Sequence, residues 1–126
     1  MKKYFKLIII ISLLVNLSFA CNLVDPTTRA QNFLSKGEFE NGIKILEKEY
    51  NNNPNSVPIK SILARAYADY GLTLCQDENK PPKVKYPMAK EQLSMALALN
   101  PYIQEAKDMY EMIEKIQASL AKNMID

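Results

Sequence analysis

The chain of 126 residues contains no histidine. This absence excludes Ser-His-Asp triads, Cys-His pairs and zinc motifs of the His-Glu type, and with them most general-base chemistry. The sequence also lacks a glycine-rich loop that could cradle phosphates. The carboxylates that could act as an acid and base pair lie in polar helical stretches, where we expect them to be solvated; they are Glu47 with Glu49 and Glu111 with Glu114. The composition predicts that the protein is not an enzyme and uses no metal.

Long apolar runs are scarce, and the one that stands out spans residues 7–17. Three lysines precede it, and the small residues Ser18 and Ala20 follow it before a cleavage point, which is the layout of a secretory signal peptide. The run falls well below the roughly 20 apolar residues that a bilayer requires. We therefore expect residues 1–20 to be a signal peptide rather than a membrane span.

Cysteine is also scarce, and one of the two cysteines, Cys21, directly follows the expected cleavage point. It resembles the cysteine of a bacterial lipobox, which is acylated and becomes the mature N-terminus. Ser18 stands where the usual leucine would be, and Leu17 is one residue further away, so the lipobox is a relaxed one. The alternative is ordinary cleavage after Ala20, which gives a soluble secreted protein. We favour lipidation because a cysteine at this junction has no other evident use.

Lipidation makes residues 21–25 a short tether between the membrane and a helical domain of residues 26–126. Asn22, rather than Asp, follows the cysteine, which favours the outer membrane or cell surface over the inner membrane. The covalent lipid on Cys21 is the one cofactor that we expect. With that sulfur acylated, Cys75 has no partner for a disulfide within the chain, and we expect a buried, inert thiol.

The apparent basicity of the chain belongs to the signal peptide. The whole sequence has 16 basic and 14 acidic residues, and three of the lysines lie in residues 1–20. The remaining 106 residues therefore carry 13 basic and 14 acidic side chains, a net charge of −1. A nearly neutral domain argues against nucleic acid as a partner.

Two sets of residues recur at fixed spacing. The first set recurs after 34 residues and comprises Ala30, Phe33 and Gly37, matched by Ala64, Tyr67 and Gly71. The second set recurs after 47 residues and comprises Phe39, Gly42, Leu46 and Pro54, matched by Tyr86, Ala89, Leu93 and Pro101. The difference of 13 residues indicates an insertion after Gly71.

The spacing of 34 residues is the period of a tetratricopeptide helix-turn-helix unit, and the chain from about Asp25 to Ile103 resembles two such repeats. The resemblance implies an all-α fold, an α-solenoid fragment with two repeats and a C-terminal capping helix. In this family the first helices line a concave groove that accepts a peptide or partner helix. By resemblance, the inward-facing residues that would bind the partner are Thr27, Gln31, Ser61, Arg65, Asp69, Asp108 and Met112.

The pattern of prolines, glycines and apolar residues predicts five helices, over residues 26–36, 38–52, 57–75, 87–99 and 102–122. Gly37 suits a helix end, whereas the helix that contains Gly71 should run to about Cys75. Gly42 should loosen the second helix by roughly 1 kcal/mol. Phe33 and Tyr67, each three residues after a small alanine, should fill the seams between helices, and Arg65 and Asp69, four residues apart, should form an intrahelical pair.

An inserted loop at about residues 76–85 carries three lysines, Lys80, Lys83 and Lys85. Contact with an acidic partner or with anionic headgroups is one interpretation, and a solvated loop is the one we favour.

The expected function is binding, and two classes stay open. The first is a lipid-anchored adaptor or scaffold in the cell envelope. The second is a ligand-binding accessory lipoprotein of a transport system, with an apolar small molecule held by oligomerised repeats. Phe33 and Leu34 of the first helix have no preceding helix to cover them, so another protein or a second copy of the chain should cover that edge or the adjoining groove.

Replacing Cys21 with serine should release the protein from the membrane fraction or block its processing, because serine lacks the thiol that is acylated. Cys75→Ser is the matched control and should stay in the membrane fraction. Mass spectrometry of the native protein should show an acyl increment on the N-terminal residue. An unmodified mature N-terminus at Cys21 would exclude the anchor.

Overall fold

The computed structural model describes residues 24–123, which form five helices. They are α1 (Pro26–Ser35), α2 (Phe39–Asn52), α3 (Val57–Gln76), α4 (Pro82–Leu99) and α5 (Gln104–Lys122). No strand occurs in this part of the chain, so the all-α class is confirmed. The predicted signal peptide, Cys21 and most of the tether lie outside the described residues. No helix from residue 24 to residue 123 is both long and apolar enough to cross a membrane.

The first and third helices begin at caps that the sequence encodes locally. The Asp25 carboxylate accepts a hydrogen bond of 3.2 Å from the Thr28 N–H, and Pro26 follows in the first turn. Ser56 caps α3 in the same way. Gly37, with φ of 76°, lies just after α1 in the left-handed conformation that glycine adopts without a steric penalty. Because of these signals, both ends of each of the first three helices lie within a residue or two of the predicted positions.

The fourth helix begins at Pro82, five residues before the expected Pro87, so the connection is 77–81 rather than 76–85. Pro82 is favoured at a helix start because its φ is preset and no N–H is needed there. Pro87 then lies inside the helix. Because proline has no backbone N–H, the Lys83 carbonyl accepts no helical hydrogen bond from residue 87. Lys83 is exposed near the start of α4, where water can hydrate that carbonyl.

Two lysines of the expected basic loop bind a residue of the connection itself. The Lys80 ammonium lies 2.6 Å from the Asp77 carboxylate, and the Lys85 ammonium donates to the Asp77 backbone carbonyl at 3.2 Å. The hydrogen bond from Lys80, together with one from the Asn79 N–H, lowers the pKa of the Asp77 carboxyl. Of the three lysines, Lys83 is exposed and Lys80 and Lys85 are half-buried, so the segment is more tightly organised than a solvated basic loop.

Helix α3 is the centre of the packing. Each helix packs on the next along the chain, and α3 also contacts α5. Its buried residues are Leu63, Ala64, Ala66, Tyr67, Ala68, Gly71 and Leu74. Because four of these seven are alanine or glycine, neighbouring helices can approach α3 closely.

Gly71 is buried at the point where α3 meets α4. A Cβ at this position would lie 2.7 Å from Leu93 Cγ and 3.1 Å from the Ala89 carbonyl oxygen, so the position has no room for a side chain. A similar contact joins α1 and α2, and its residues are Gly42, Leu34 and Ala30. The sequence predicted only that Gly42 loosens α2. In the structure, Gly42 also allows α1 and α2 to pack closely.

Two tyrosines of α3 bind glutamates of α2. Tyr67, 4% exposed, donates its hydroxyl to the Glu47 carboxylate. Tyr70 donates to Glu40 at 2.8 Å and stacks on Phe39 with ring centroids 5.3 Å apart. Burial, followed by the hydrogen bond to the carboxylate, raises the pKa of Tyr67 well above its usual range and that of Tyr70 to about 12. The predicted core position of Tyr67 is confirmed.

Tyr67→Ala should lower the free energy of unfolding by about 3–5 kcal/mol, whereas Tyr67→Phe, which keeps the ring and loses the hydrogen bond, should cost about 1–2 kcal/mol. Because the folded phenol has the higher pKa, its contribution is complete below pH 10 and is lost as the pH rises further. This loss is about 1.4 kcal/mol per pH unit for each phenol. Tyr67→Phe should therefore flatten the alkaline decline.

Urea unfolding followed by circular dichroism from neutral pH to above pH 10 measures both effects. Tyr102→Phe is the control because Tyr102 is 90% exposed. A loss below about 1 kcal/mol for Tyr67→Ala, or an unchanged alkaline decline in Tyr67→Phe, would contradict the assignment.

Candidate partner-binding groove

An open groove of about 670 Å³ lies between α1 and α3. Its apolar lining comes from Leu34, Phe39, Ile62, Ala66 and Leu72. Its polar lining comes from Gln31, Ser35, Ser61, Arg65, Asp69, Thr73 and Gln76. The groove therefore has the composition of a binding surface, with apolar side chains to bury and polar groups to orient a ligand.

The groove extends along most of the length of α3. Helix α1 has 10 residues and α3 has 20, and the α3 lining extends from Ser61 to Gln76. At a rise of 1.5 Å per residue, this stretch is about 22 Å long, or roughly four helical turns. That length suits a helix or a peptide laid along α3.

Arg65 joins two helices at the polar edge of the groove. Its Nε lies 2.9 Å from Asp69 Oδ1, which is the intrahelical pair that the spacing predicted. Its Nη1 lies 3.1 Å from Glu105 Oε2 on α5, a contact that the sequence did not indicate. The Arg65 side chain is 56% exposed, so each pair contributes at most about 1 kcal/mol to stability. Two carboxylates around one guanidinium leave a local charge of −1.

The structure brings together four of the seven residues predicted to bind a partner: Gln31, Ser61, Arg65 and Asp69 all line the groove. Thr27 is one turn before Gln31 on α1 and does not line it.

The two predicted residues of α5 also lie outside the groove. Asp108 accepts a hydrogen bond of 2.7 Å from the Gln104 side chain on its own helix. Met112 is 52% exposed. The Arg65–Glu105 bridge brings α5 to the polar edge of the groove through a different residue.

Sequence reasoning missed the apolar lining and the far end of the groove. Leu34 was expected at an uncovered edge together with Phe33. Instead, Leu34 packs against the core beside Gly42 and lines the groove. Phe33 lies on the other side of α1 and is not packed against the main core, so the prediction that it fills a seam as Tyr67 does is wrong. The far end of the groove could have been predicted from the sequence. From Arg65 its α3 lining continues in steps of three and four residues through Leu72 to Gln76, which places these residues on one helical face.

A second, smaller groove of about 410 Å³ lies on the opposite face of α3, beside α2 and α4. Tyr50, Met95 and Leu99 contribute to its lining, and Glu47 lies there already bound to Tyr67. Its lining is mainly apolar, and Asn51 contributes a polar side chain besides the Glu47–Tyr67 pair.

Cys75 is half-buried near the end of α3, rather than buried as expected. Desolvation raises the pKa of its thiol, and the nearby Lys85 ammonium offsets this only in part. The thiol is therefore protonated at neutral pH, which makes it a poor nucleophile. From residue 24 to residue 123, no group of three or more carboxylate or thiol side chains is placed to hold a metal ion.

Comparison with protein-family models, curated proteins and solved structures finds no match. Function is therefore inferred from the residues and from the groove between α1 and α3.

Proposed function

We propose that the protein is a lipid-anchored adaptor of a bacterial cell envelope, which binds a peptide or helix of a partner protein in the groove between α1 and α3. The observation that carries the proposal is the groove itself. It lies between the two helices that the tetratricopeptide resemblance assigns to partner binding, and four of the seven residues that the resemblance implies line it. In the same proposal, α1–α2 and α3–α4 are the two repeats and α5 is the cap.

The lining also indicates the chemistry of the partner. An amphipathic helix could place apolar side chains at three- and four-residue steps against Leu34, Ile62 and Leu72. Arg65 is the one cation in the groove lining, and its exposed guanidinium has more N–H groups than the two bound to Asp69 and Glu105, so it can donate to a backbone carbonyl of the partner at that edge.

One observation favours a second candidate, a ligand-binding accessory lipoprotein. The groove volume falls within the range of about 300–1,000 Å³ that small-molecule sites occupy. The elongated, open shape with a polar edge fits a peptide better than an apolar small molecule.

Arg65→Glu should weaken partner binding at least tenfold without unfolding the domain, because it replaces this donor with a third carboxylate, which repels a carbonyl oxygen, while it removes only exposed ion pairs. Lys60→Glu, an exposed charge reversal five residues earlier on α3 and outside the groove, is the matched control.

Binding can be followed in cells by a photo-crosslinking side chain at Thr73, inside the groove, and at Tyr102, outside it. We expect a polypeptide adduct from position 73 alone, lost in Arg65→Glu and kept in Lys60→Glu. Equal adducts from both positions, or adducts unaffected by Arg65→Glu, would contradict the adaptor. Absence of adducts together with a co-purifying small molecule in native mass spectrometry would favour the second candidate.

A further inference from the structure

The outer side of the first helical pair carries a surface that the proposed function does not use. Pro26, Arg29 and Phe33 of α1 and Lys44, Ile45 and Lys48 of α2 line a shallow groove of about 460 Å³ there. We call these six residues the outer face.

The outer face is basic, and its cations form no ion pair with any residue that the structure describes. Arg29, Lys44 and Lys48 are exposed, and the ion pairs found from residue 24 to residue 123 include none of them. One carboxylate, that of the half-buried Glu49, lies in the same groove. Three cations and one anion leave a local charge of +2, although the expected mature chain has a net charge of −1.

Apolar side chains lie among these cations. Phe33 is half-buried on the outer face, beside Pro26 and Ile45, and it is not among the residues packed against the main core. Cations surrounding a partly exposed aromatic ring match the interface of an anionic membrane, where headgroups attract the charges and the ring enters the headgroup boundary.

The position of the expected anchor favours this occupant over a soluble partner. Cys21 is four residues before Asp25, the N-cap of α1. Four residues span at most about 14 Å, so an acyl group on Cys21 holds the start of α1 close to the headgroups. The outer face begins at Pro26, directly after that cap.

We propose that the outer face docks on anionic phospholipid headgroups of the membrane in which Cys21 is anchored. This inference rests on the lipid anchor of the proposed function. It also gives the partner-binding groove an orientation: at about 100° per residue, Gln31 and Leu34 lie on the side of α1 opposite Arg29 and Phe33. Docking therefore turns the partner-binding groove away from the membrane, toward partners in solution.

A single tryptophan can report the docking, because the chain contains none. Phe33→Trp places the reporter on the outer face, and Tyr102→Trp places it on an exposed site in the connection between α4 and α5. The processed, acylated protein is reconstituted into phosphatidylcholine vesicles with or without phosphatidylglycerol, with acyl chains brominated near the headgroup. We expect quenching of the tryptophan at position 33 in the anionic vesicles alone, and little quenching at position 102 in either.

Charge variants test the electrostatic part. Lys44→Gln should lower the ratio of docked to undocked protein about fivefold in anionic vesicles. The triple reversal Arg29→Glu, Lys44→Glu and Lys48→Glu should abolish quenching while flotation shows the protein still anchored. The matched reversal of three exposed lysines on α3 and α5, Lys60, Lys107 and Lys115, should leave quenching unchanged. Salt near 1 M should also abolish it, since the Debye length falls to about 3 Å.

Several results would overturn the docking face. They are equal quenching at positions 33 and 102, quenching that does not depend on lipid charge, and no quenching at position 33 in a protein that floats with the vesicles. A blue-shifted but unquenched tryptophan at position 33, together with cross-linked dimers, would assign the face to a second copy instead. If the native protein proves not to be acylated, the anchor fails. Flotation with anionic vesicles that depends on the three cations would still support the docking face, and its absence would exclude it.

Discussion

The close approach of α3 and α4 at Gly71 is the constraint on which the rest of the structure depends. Leu93 is fully buried and lies where a side chain on residue 71 would have to go, and the Ala89 carbonyl closes the remaining space. Glycine normally weakens a helix interior by about 1 kcal/mol. Here the backbone contact that glycine permits lets α4 pack along the long central helix.

That packing fixes the directions of the other surfaces of α3. With one face against α4, the face bearing Tyr67 meets α2, and the face bearing Arg65 and Leu72 borders the groove beside α1. Arg65 also connects this face to α5 through Glu105. A rotation of α3 would disturb the tyrosine hydrogen bonds and the groove together.

Local chemistry explains which features could be predicted from the sequence. The caps at Asp25 and Ser56 and the glycine after α1 act within a few residues, so the first three helices were predicted well. The start of α4 was predicted wrongly, because Pro82 and Pro87 are equally good first-turn residues. The contacts of Lys80 and Lys85 with Asp77, which organise the shorter connection, are not visible in the sequence.

The partner-binding groove was predicted only in part, because only its contacts within one helix can be read from the sequence. Arg65 and Asp69 meet because they are one turn apart on α3, and this pairing follows from helix geometry alone. The contact of Arg65 with Glu105 and the position of Leu34 depend on how separate helices cross, which spacing does not encode.

The most direct test of the central contact is a double-mutant cycle of Gly71→Ala and Leu93→Ala, measured by urea unfolding. Gly71→Ala alone should lower the free energy of unfolding by about 1–3 kcal/mol, because the new methyl group overpacks the interface. In the Leu93→Ala background, the same change should cost less by at least about 1 kcal/mol, since the truncated leucine removes the two closest contacts and leaves only the 3.1 Å contact with the Ala89 carbonyl oxygen. Stabilisation by about 1 kcal/mol in both backgrounds, as helix propensity alone would give, would contradict the account.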